Sequence, residues 1–155
     1  MKGMYVIKPV SLAALLTLLV AGSARAHEQP RDAPGQLGDA RKVDRTIDIT
    51  MDDAMRFHPA VVRVKAGETV RFRVRNTGSI RHEMVIGSMK ELREHAALMR
   101  KFPEMEHAEP NQATVDPGNT GELVWQFRKP GTFDFACLQP GHFEAGMRGR
   151  VVVER

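Results

Sequence analysis

The amino-acid sequence predicts an all-β fold, a Greek-key β-sandwich or barrel with one short helical insertion. Two observations support this fold class. Apolar and polar residues alternate with period two in several short segments, which Gly, Pro and Asn turns separate at regular spacing. One stretch between these segments has apolar residues at helical spacing instead.

The first 26 residues have the composition of a secretory signal peptide. Two lysines precede an apolar run at residues 9–22, and the small-x-small pattern of Ala24, Arg25 and Ala26 follows it. The run is shorter than the roughly twenty residues that span a bilayer, and no cysteine follows the cleavage point to accept a lipid. We therefore predict cleavage after Ala26, a periplasmic location and no membrane anchor in the mature chain. An uncleaved anchor is the alternative.

Residues 27–45 are rich in Pro, Gly and charged side chains and show no apolar periodicity. Such a segment buries too little apolar surface to offset the entropy that is lost when it becomes ordered, so we predict a flexible leader. A single domain, residues 46–155, follows the leader. Its length is sufficient for one sizeable core.

The charge of the chain does not support a nucleic-acid partner. The formal net charge is +4, from 23 basic and 19 acidic residues with histidine neutral. Three of the basic residues and none of the acidic ones lie in the predicted signal peptide, which leaves the mature chain at about +1. We therefore expect no nucleic acid among the partners. We also expect a monomer.

The clearest strand lies at residues 69–76. Val70, Phe72 and Val74 alternate there with three arginines, which is the pattern of a strand with one buried and one solvated face. The same alternation recurs in four further segments, which are VVRVKAGE with Val62 and Val64, RHEMVIG with His82, Met84 and Ile86, LVWQF with Leu123, Trp125 and Phe127, and TFDFAC with Phe133, Phe135 and Cys137.

The phase of this alternation places two chemically active side chains inside the sandwich. Cys137 is in phase with the core aromatics Phe133 and Phe135. His82 is in phase with Met84 on an apolar strand. Successive side chains of a strand point to opposite faces, so we expect both Cys137 and His82 to point inward.

The stretch SMKELREHAALMRKF predicts a helix that is inserted between two strands. Ser88 is a suitable N-cap, and Pro103 ends the helix. We place the whole insert at about residues 88–109. The residues at helical spacing are Leu92, His95, Ala96, Met99 and Phe102.

The stretch CLQPGHFEAGM carries the only cysteine of the chain. A lone thiol forms no internal disulfide, so its chemistry depends on partners of other types. Cys137 is followed at equal intervals by His142 and Met147, which are also soft or borderline donors. Two histidines, one cysteine and a weak axial methionine are the ligands of a mononuclear type 1 copper site. Because His82 faces inward, it is our candidate for the remaining ligand.

The same stretch has the residues that a tight reversal of the chain needs. Pro140 fixes φ at the second position of a turn, and Gly141 tolerates a positive φ at the third. Gly146 gives similar freedom just before Met147. We therefore expect this loop to bring the chain back toward the metal.

The segment CLQPGHFEAGMRGRVVV resembles the copper loop of the cupredoxins, and its ligand spacing is similar to that of rusticyanin and the auracyanins. MRFHPAVVRVKAGETVRFRVRNTGSIRHEMVIG resembles the small exported cupredoxins that are associated with bacterial copper tolerance. The resemblance covers roughly residues 48–154. It implies an eight-stranded Greek-key sandwich with His82, Cys137 and His142 as equatorial copper ligands and Met147 as the axial ligand.

One position departs from the pattern of this family. Many cupredoxins have an asparagine after the first ligand histidine, and its hydrogen bonds join the two ligand segments. This chain has Glu83 there. Groups around the ligands tune the reduction potential and the ligand geometry, so the resemblance does not fix the colour or potential of the site.

Each candidate ligand also has a structural explanation. Cys137 could be a small buried apolar residue, His82 a core histidine and Met147 a packing residue. Cys137 and His142 could instead form a nucleophile pair, although no orienting Asn or Asp and no oxyanion donor is evident. Zinc fits the set less well, because its protein ligands are Cys, His and carboxylates rather than thioether.

A second group of potential ligands accompanies the helical insert. Thioethers and imidazoles bind Cu(I), so these side chains form a candidate auxiliary copper site, although methionines at helical spacing more often pack in a core. The group consists of His95, Met99, Met105 and His107.

Two functions are compatible with these residues. Four protein donors leave no open position on the copper, so we expect a one-electron carrier and not an enzyme. The excess of Met and His favours periplasmic copper tolerance. The alternative is an electron shuttle between respiratory redox partners, which the sequence does not identify. A shuttle needs an apolar docking patch, and Leu138, Pro140 and Phe143 could supply it.

Overall fold

The computed structural model describes residues 35–105 and 108–155. The predicted signal peptide and the first part of the predicted leader lie outside these residues. Within them, no helix has the length and apolar character needed to cross a membrane.

The described chain forms two five-stranded sheets and one helix. The strand order is β1-β8-β5-β2-β3 in the first sheet and β4-β10-β9-β6-β7 in the second. The elements are β1 Gly35–Leu37, β2 Arg45–Asp52, β3 Arg56–His58, β4 Val61–Lys65, β5 Thr69–Asn76, β6 His82–Gly87, α1 Met89–Lys101, β7 Gln112–Val115, β8 Thr120–Phe127, β9 Gly131–Ala136 and β10 Arg148–Glu154.

This architecture confirms the predicted all-β sandwich with one helical insertion. The pairs β2–β5 and β4–β10 are parallel, and the other paired strands are antiparallel. The described residues contain ten strands, where the resemblance implied eight. The shortest two, β1 and β3, have three residues each and lie at the edges of the first sheet.

Strand β1 corrects the prediction that all of residues 27–45 form a flexible leader. Gly35 pairs with Phe127 and Leu37 with Trp125. A Cβ atom at Gly35 would lie 2.0 Å from the carbonyl oxygen of Gln126, so the close approach of the two strands requires glycine. The pairing depends on the backbone and on this missing side chain, and apolar periodicity therefore gave no sign of it.

The core lies between the two sheets, and most of the side chains that the alternation predicted to point inward belong to it, together with residues of β2, β3, β7 and β10. Phe133 is only partly buried and packs against the core. The arginines of β5 face away from it, and Arg71 and Arg73 pair with Glu122 and Asp48. The predicted inward residues that are buried are Val62, Val64, Val70, Phe72, Val74, His82, Met84, Ile86, Leu123, Trp125, Phe127, Phe135 and Cys137.

Helix α1 begins directly after Ser88, which caps it. The Ser88 hydroxyl accepts a hydrogen bond from the Glu91 N–H, and the Glu91 carboxylate accepts one from the Ser88 N–H. This capping box satisfies donors at the start of the helix. The helix ends at Lys101, before Pro103. Its buried face packs on the outer side of the second sheet and includes Leu92, Ala96 and Met99.

Strand β6 is buried on both faces because it lies between the sandwich core and helix α1. One face, with His82, Met84 and Ile86, points into the core. The other carries Glu83 and Val85, and Val85 belongs to the apolar cluster under α1. The insert therefore shields the strand on which the candidate metal centre begins.

Candidate metal centre

The candidate ligands meet at one end of the sandwich, where β6 begins and β9 ends. His82 is the first residue of β6, and Cys137 follows Ala136, the last residue of β9. These strands are antiparallel neighbours, so the start of one lies beside the end of the other. The loop after β9 carries His142 and leads to Met147, directly before β10.

Backbone hydrogen bonds hold this loop in a tight reversal. His142 N–H donates to the Gln139 carbonyl at 3.0 Å, which closes the turn expected at Pro140 and Gly141. Gly141 has φ +86° and Gly146 has φ +91°, so both expected left-handed positions are confirmed. Two further bonds bring the end of the loop back to its start. The Met147 N–H donates to the His142 carbonyl at 3.0 Å, and the Cys137 N–H donates to the Met147 carbonyl at 3.1 Å.

Three donor atoms converge at this end of the molecule. Cys137 Sγ lies 3.3 Å from His142 Nδ1 and 4.0 Å from His82 Nδ1, and the two histidine Nδ1 atoms are 3.2 Å apart. One ligand atom from each residue falls within 4.8 Å of the others, a spacing that a single metal ion can bridge. Cys137, His82 and Met147 are fully buried, whereas His142 is half-buried.

The surroundings of these groups favour metal binding over nucleophilic chemistry. Burial raises the pKa of the Cys137 thiol to about 12, so without a cation the thiol is protonated and a poor nucleophile. Burial, followed by the neighbouring His82, lowers the pKa of His142. A neutral imidazole has a free nitrogen lone pair. Two imidazoles and a sulfur donor that is buried and protected from water suit copper.

Asp53 contacts the outward side of the His82 ring. Its Oδ1 lies 3.1 Å from His82 Nε2, while Nδ1 is the nitrogen that faces Cys137 and His142. The pKa of Asp53 is lowered to about 2, chiefly by the Ser79 hydroxyl and the Ser79 N–H, which both donate to the carboxylate. Asp53 lies in the turn between β2 and β3, far from His82 in sequence. Sequence analysis missed it because no motif marks this turn.

Glu83 joins β6 to the loop that carries Cys137. Its side chain is almost fully buried, at 2% exposure. Oε1 accepts a hydrogen bond from the Leu138 N–H at 3.0 Å. Oε2 accepts from Gln112 Nε2 at 3.1 Å and from Gln139 Nε2 at 3.2 Å. The residue that departs from the family pattern thus still connects the two ligand segments, with a carboxylate as the acceptor.

The structure brings together only part of the candidate auxiliary site. Met99 and Met105 line a cavity of about 950 Å³ between the end of α1 and strands β6 and β7, with Glu83 and Gln139 also on its wall. His95 is half-buried on α1 and is not among the lining residues. Met99 also packs in the apolar cluster under the helix. His107 lies outside the described residues.

A β-sandwich with a cysteine and two histidines close together at one end is the arrangement expected of a small copper-binding protein. The family model for copper-binding proteins of the plastocyanin/azurin family matches residues 43–154. The chain belongs to this family.

Two curated relatives carry the same description. The copper-resistant cuproprotein CopI of Rubrivivax gelatinosus is 53% identical over 131 residues, covering 84% of this chain and 79% of the relative. The copper-resistant cuproprotein CopI of Pseudomonas aeruginosa is 33% identical over 175 residues, covering 94% of this chain and 96% of the relative. These relatives confirm the resemblance to the cupredoxins that are associated with copper tolerance.

A solved structure supports the fold independently. Auracyanin B superposes with a TM-score of 0.66 at 20% identity, covering 79% of this chain and 98% of its own. At this identity the likeness concerns the fold alone. It agrees with the two-sheet architecture described above.

Proposed function

We propose that this protein is an exported mononuclear type 1 copper protein that serves copper tolerance in the periplasm. His82, Cys137 and His142 would hold the copper as its three strong ligands, and Met147 would be the weak fourth ligand. The observation that carries this proposal is the convergence of the Cys137 Sγ and the two histidine Nδ1 atoms within 4.8 Å. Bound copper supplies one-electron chemistry, because it is stable there as both Cu(II) and Cu(I).

The protein's own contribution is to hold the donors in nearly one geometry. His82 and Cys137 are attached to neighbouring strands, and the Cys137 N–H to Met147 carbonyl bond closes the loop around them. Rigid donors reduce the rearrangement that a change in oxidation state requires. Of the four proposed ligands only His142 is not fully buried, so it provides the contact with solvent and partners.

Burial under α1 argues against the electron-shuttle alternative. The docking patch expected from Leu138, Pro140 and Phe143 is not formed, because Leu138 is 1% and Phe143 8% exposed. Both pack against the helix, in a cluster with Leu92 and Ala96, and of the three expected residues only Pro140 is exposed. An apolar patch that is already covered by the insert offers little surface to a redox partner. Copper tolerance agrees with the names of the relatives.

Replacing Met147 by leucine tests the axial assignment. We expect the variant to bind copper and to have a higher reduction potential, because loss of a weak axial donor disfavours Cu(II) more than Cu(I). The two side chains have similar volume, so the core should be preserved at a cost below about 1.5 kcal/mol. Voltammetry of wild type and variant measures the difference. Met51→Leu, another fully buried core methionine, is the matched control, and equal potentials in all three proteins would remove Met147 from the ligands.

Growth on a copper gradient tests the proposed role in cells. Cells whose only copy carries Cys137→Ser should tolerate copper less well than wild-type cells, because the main site is lost. A Glu122→Ala strain, altered at an exposed residue on another face, should grow normally. Wild-type growth of the Cys137→Ser strain would contradict the tolerance role and leave the electron shuttle as the better hypothesis.

A test of the proposed auxiliary Cu(I) site needs a variant that removes the donor atoms without leaving a cavity in the core. Truncating the buried Met99 to alanine would cost about 2–5 kcal/mol through cavity formation, so leucine is the better substitution. A variant with His95→Ala, Met99→Leu, Met105→Leu and His107→Ala should keep the visible band and lose Cu(I) stoichiometry above one. Competition with a Cu(I) chelator measures this stoichiometry. A wild-type stoichiometry of one would exclude the auxiliary site.

A further inference from the structure

We propose that Asp53 is a positioning residue for the copper ligand His82 and that its carboxylate lowers the reduction potential of the site. This inference rests on the proposed function, since it concerns how the same site is tuned. It assigns a role to the turn between β2 and β3, a segment that provides none of the proposed ligands.

The contact between Asp53 and His82 has a defined direction. An ionised carboxylate can only accept hydrogen bonds, so the His82 Nε2 must carry the proton that bridges the 3.1 Å to Asp53 Oδ1. Protonation of Nε2 leaves Nδ1 as the free donor in a neutral ring. Nδ1 is the atom that faces Cys137 Sγ and His142 Nδ1. Asp53 therefore selects the tautomer of His82 that can bind the metal.

The turn around Asp53 is built to hold its carboxylate in this place. Ser79 donates to Oδ2 twice, from its N–H at 2.7 Å and from its hydroxyl at 2.6 Å, which leaves Oδ1 directed at His82. Gly78 makes room for the carboxylate, because a Cβ atom there would lie 2.0 Å from Asp53 Oδ1 and 2.7 Å from its Cγ. The Asp53 carboxylate thus connects the β2–β3 turn to the segment before β6.

A carboxylate that accepts a hydrogen bond from a ligand histidine changes the reduction potential of the metal that this histidine binds. The hydrogen bond raises the basicity of the ring and hence the donor strength of Nδ1. Cu(II) gains more from a stronger donor and from a nearby negative charge than Cu(I) does, because it carries the higher charge. The His82 ring is fully buried while the Asp53 side chain is 39% exposed, so the direct hydrogen bond contributes more than the screened charge.

Asp53→Asn removes the charge while retaining an oxygen that can accept from His82. We expect the variant to keep one copper and its visible band. We expect the ratio of Cu(II) to Cu(I) affinity to fall about tenfold, at the lower end of the effects known for such partners. A tenfold change corresponds to a rise of about 59 mV in the potential of a one-electron couple. Voltammetry, with absorption spectra recorded on the same samples, measures both quantities.

Two further variants separate positioning from charge. Asp52→Asn removes one charge from the neighbouring residue, whose carboxylate pairs with His58 instead, and it should leave the potential nearly unchanged. Gly78→Ala changes no charge but displaces the Asp53 carboxylate, and it should raise the potential as Asp53→Asn does. In the metal-free protein, ¹⁵N NMR should show His82 protonated at Nε2 in wild type, with this preference lost in Gly78→Ala.

The possible results distinguish this inference from the proposed function. If Asp53→Asn and Gly78→Ala both have the potential of Asp52→Asn while retaining the visible band, the role of Asp53 is refuted and the copper site stands. Absence of the band from wild type would instead refute the proposed function. Should Asp53→Asn fail to fold, Gly78→Ala and the NMR measurement still decide the question.

Discussion

Cys137→Ser is expected to abolish the visible absorption of the copper-loaded protein. The band of a type 1 site arises from charge transfer between the cysteine thiolate and Cu(II), and a serine hydroxyl is not deprotonated to replace it. Loss of a residue that only hydrogen-bonds to a metal ligand typically lowers metal affinity roughly 10–100-fold. Loss of the ligand Cys137 itself should lower the Cu(II) affinity by more than this. Absorption spectra and a Cu(II) titration of both proteins measure these effects.

The fold should survive this substitution. Cys137 is fully buried, and serine differs from it only by a smaller oxygen in place of the sulfur, so thermal unfolding of the metal-free proteins serves as the control. The sulfur accepts backbone hydrogen bonds from Glu83, whose N–H lies at 3.4 Å, and from Gln139, and a hydroxyl can also accept them. A folded Cys137→Ser protein that stays coloured with Cu(II) would show that Cys137 is not a ligand.

Glu83→Ala is expected to lower the free energy of unfolding more than any exposed carboxylate variant. Without Glu83 the buried Leu138 N–H has lost its acceptor, which costs about 1–3 kcal/mol. Gln112 and Gln139 each lose one acceptor as well. Glu83→Gln should also destabilise the protein. If the amide oxygen of the new glutamine accepts from the Leu138 N–H, its NH₂ group faces Gln112 Nε2 and Gln139 Nε2, which are donors too. Chemical denaturation of the metal-free proteins measures the loss.

Glu122→Ala provides the comparison for this prediction. Glu122 pairs with Arg71 on the outer face of the first sheet and is 55% exposed, so its loss should change stability by no more than about 0.5 kcal/mol. If Glu83→Ala were as stable as Glu122→Ala, the carboxylate would not be the connection between β6 and the copper loop.

The strands and the inward ligands could be predicted because period two is a local property of the chain. Val70, Phe72 and Val74 identify the buried face of β5 without knowledge of its neighbours. The same alternation places His82 and Cys137 inside, and the glycines at 141 and 146 indicate the reversal between Cys137 and Met147. The spacing within one short loop thus carried most of the information about the site.

The features that the sequence did not reveal depend on contacts between distant segments. Asp53 reaches His82 because the β2–β3 turn meets the segment before β6, and nothing near Asp53 in sequence indicates this. The burial of Leu138 and Phe143 depends on where α1 lies, which its own amphipathic pattern does not specify. Strand β1 pairs through its backbone, so its side chains gave no sign of it.

The central claim is that one copper ion is bound by the thiolate of Cys137 and the imidazoles of His82 and His142. Copper X-ray absorption spectroscopy of the chain loaded with one equivalent of Cu(II) tests it most directly, because the method identifies the donor atoms. The proposed site predicts one short copper–sulfur and two copper–nitrogen distances, with no further tight binding of Cu(II) beyond one equivalent. A first coordination shell made only of nitrogen and oxygen would contradict it.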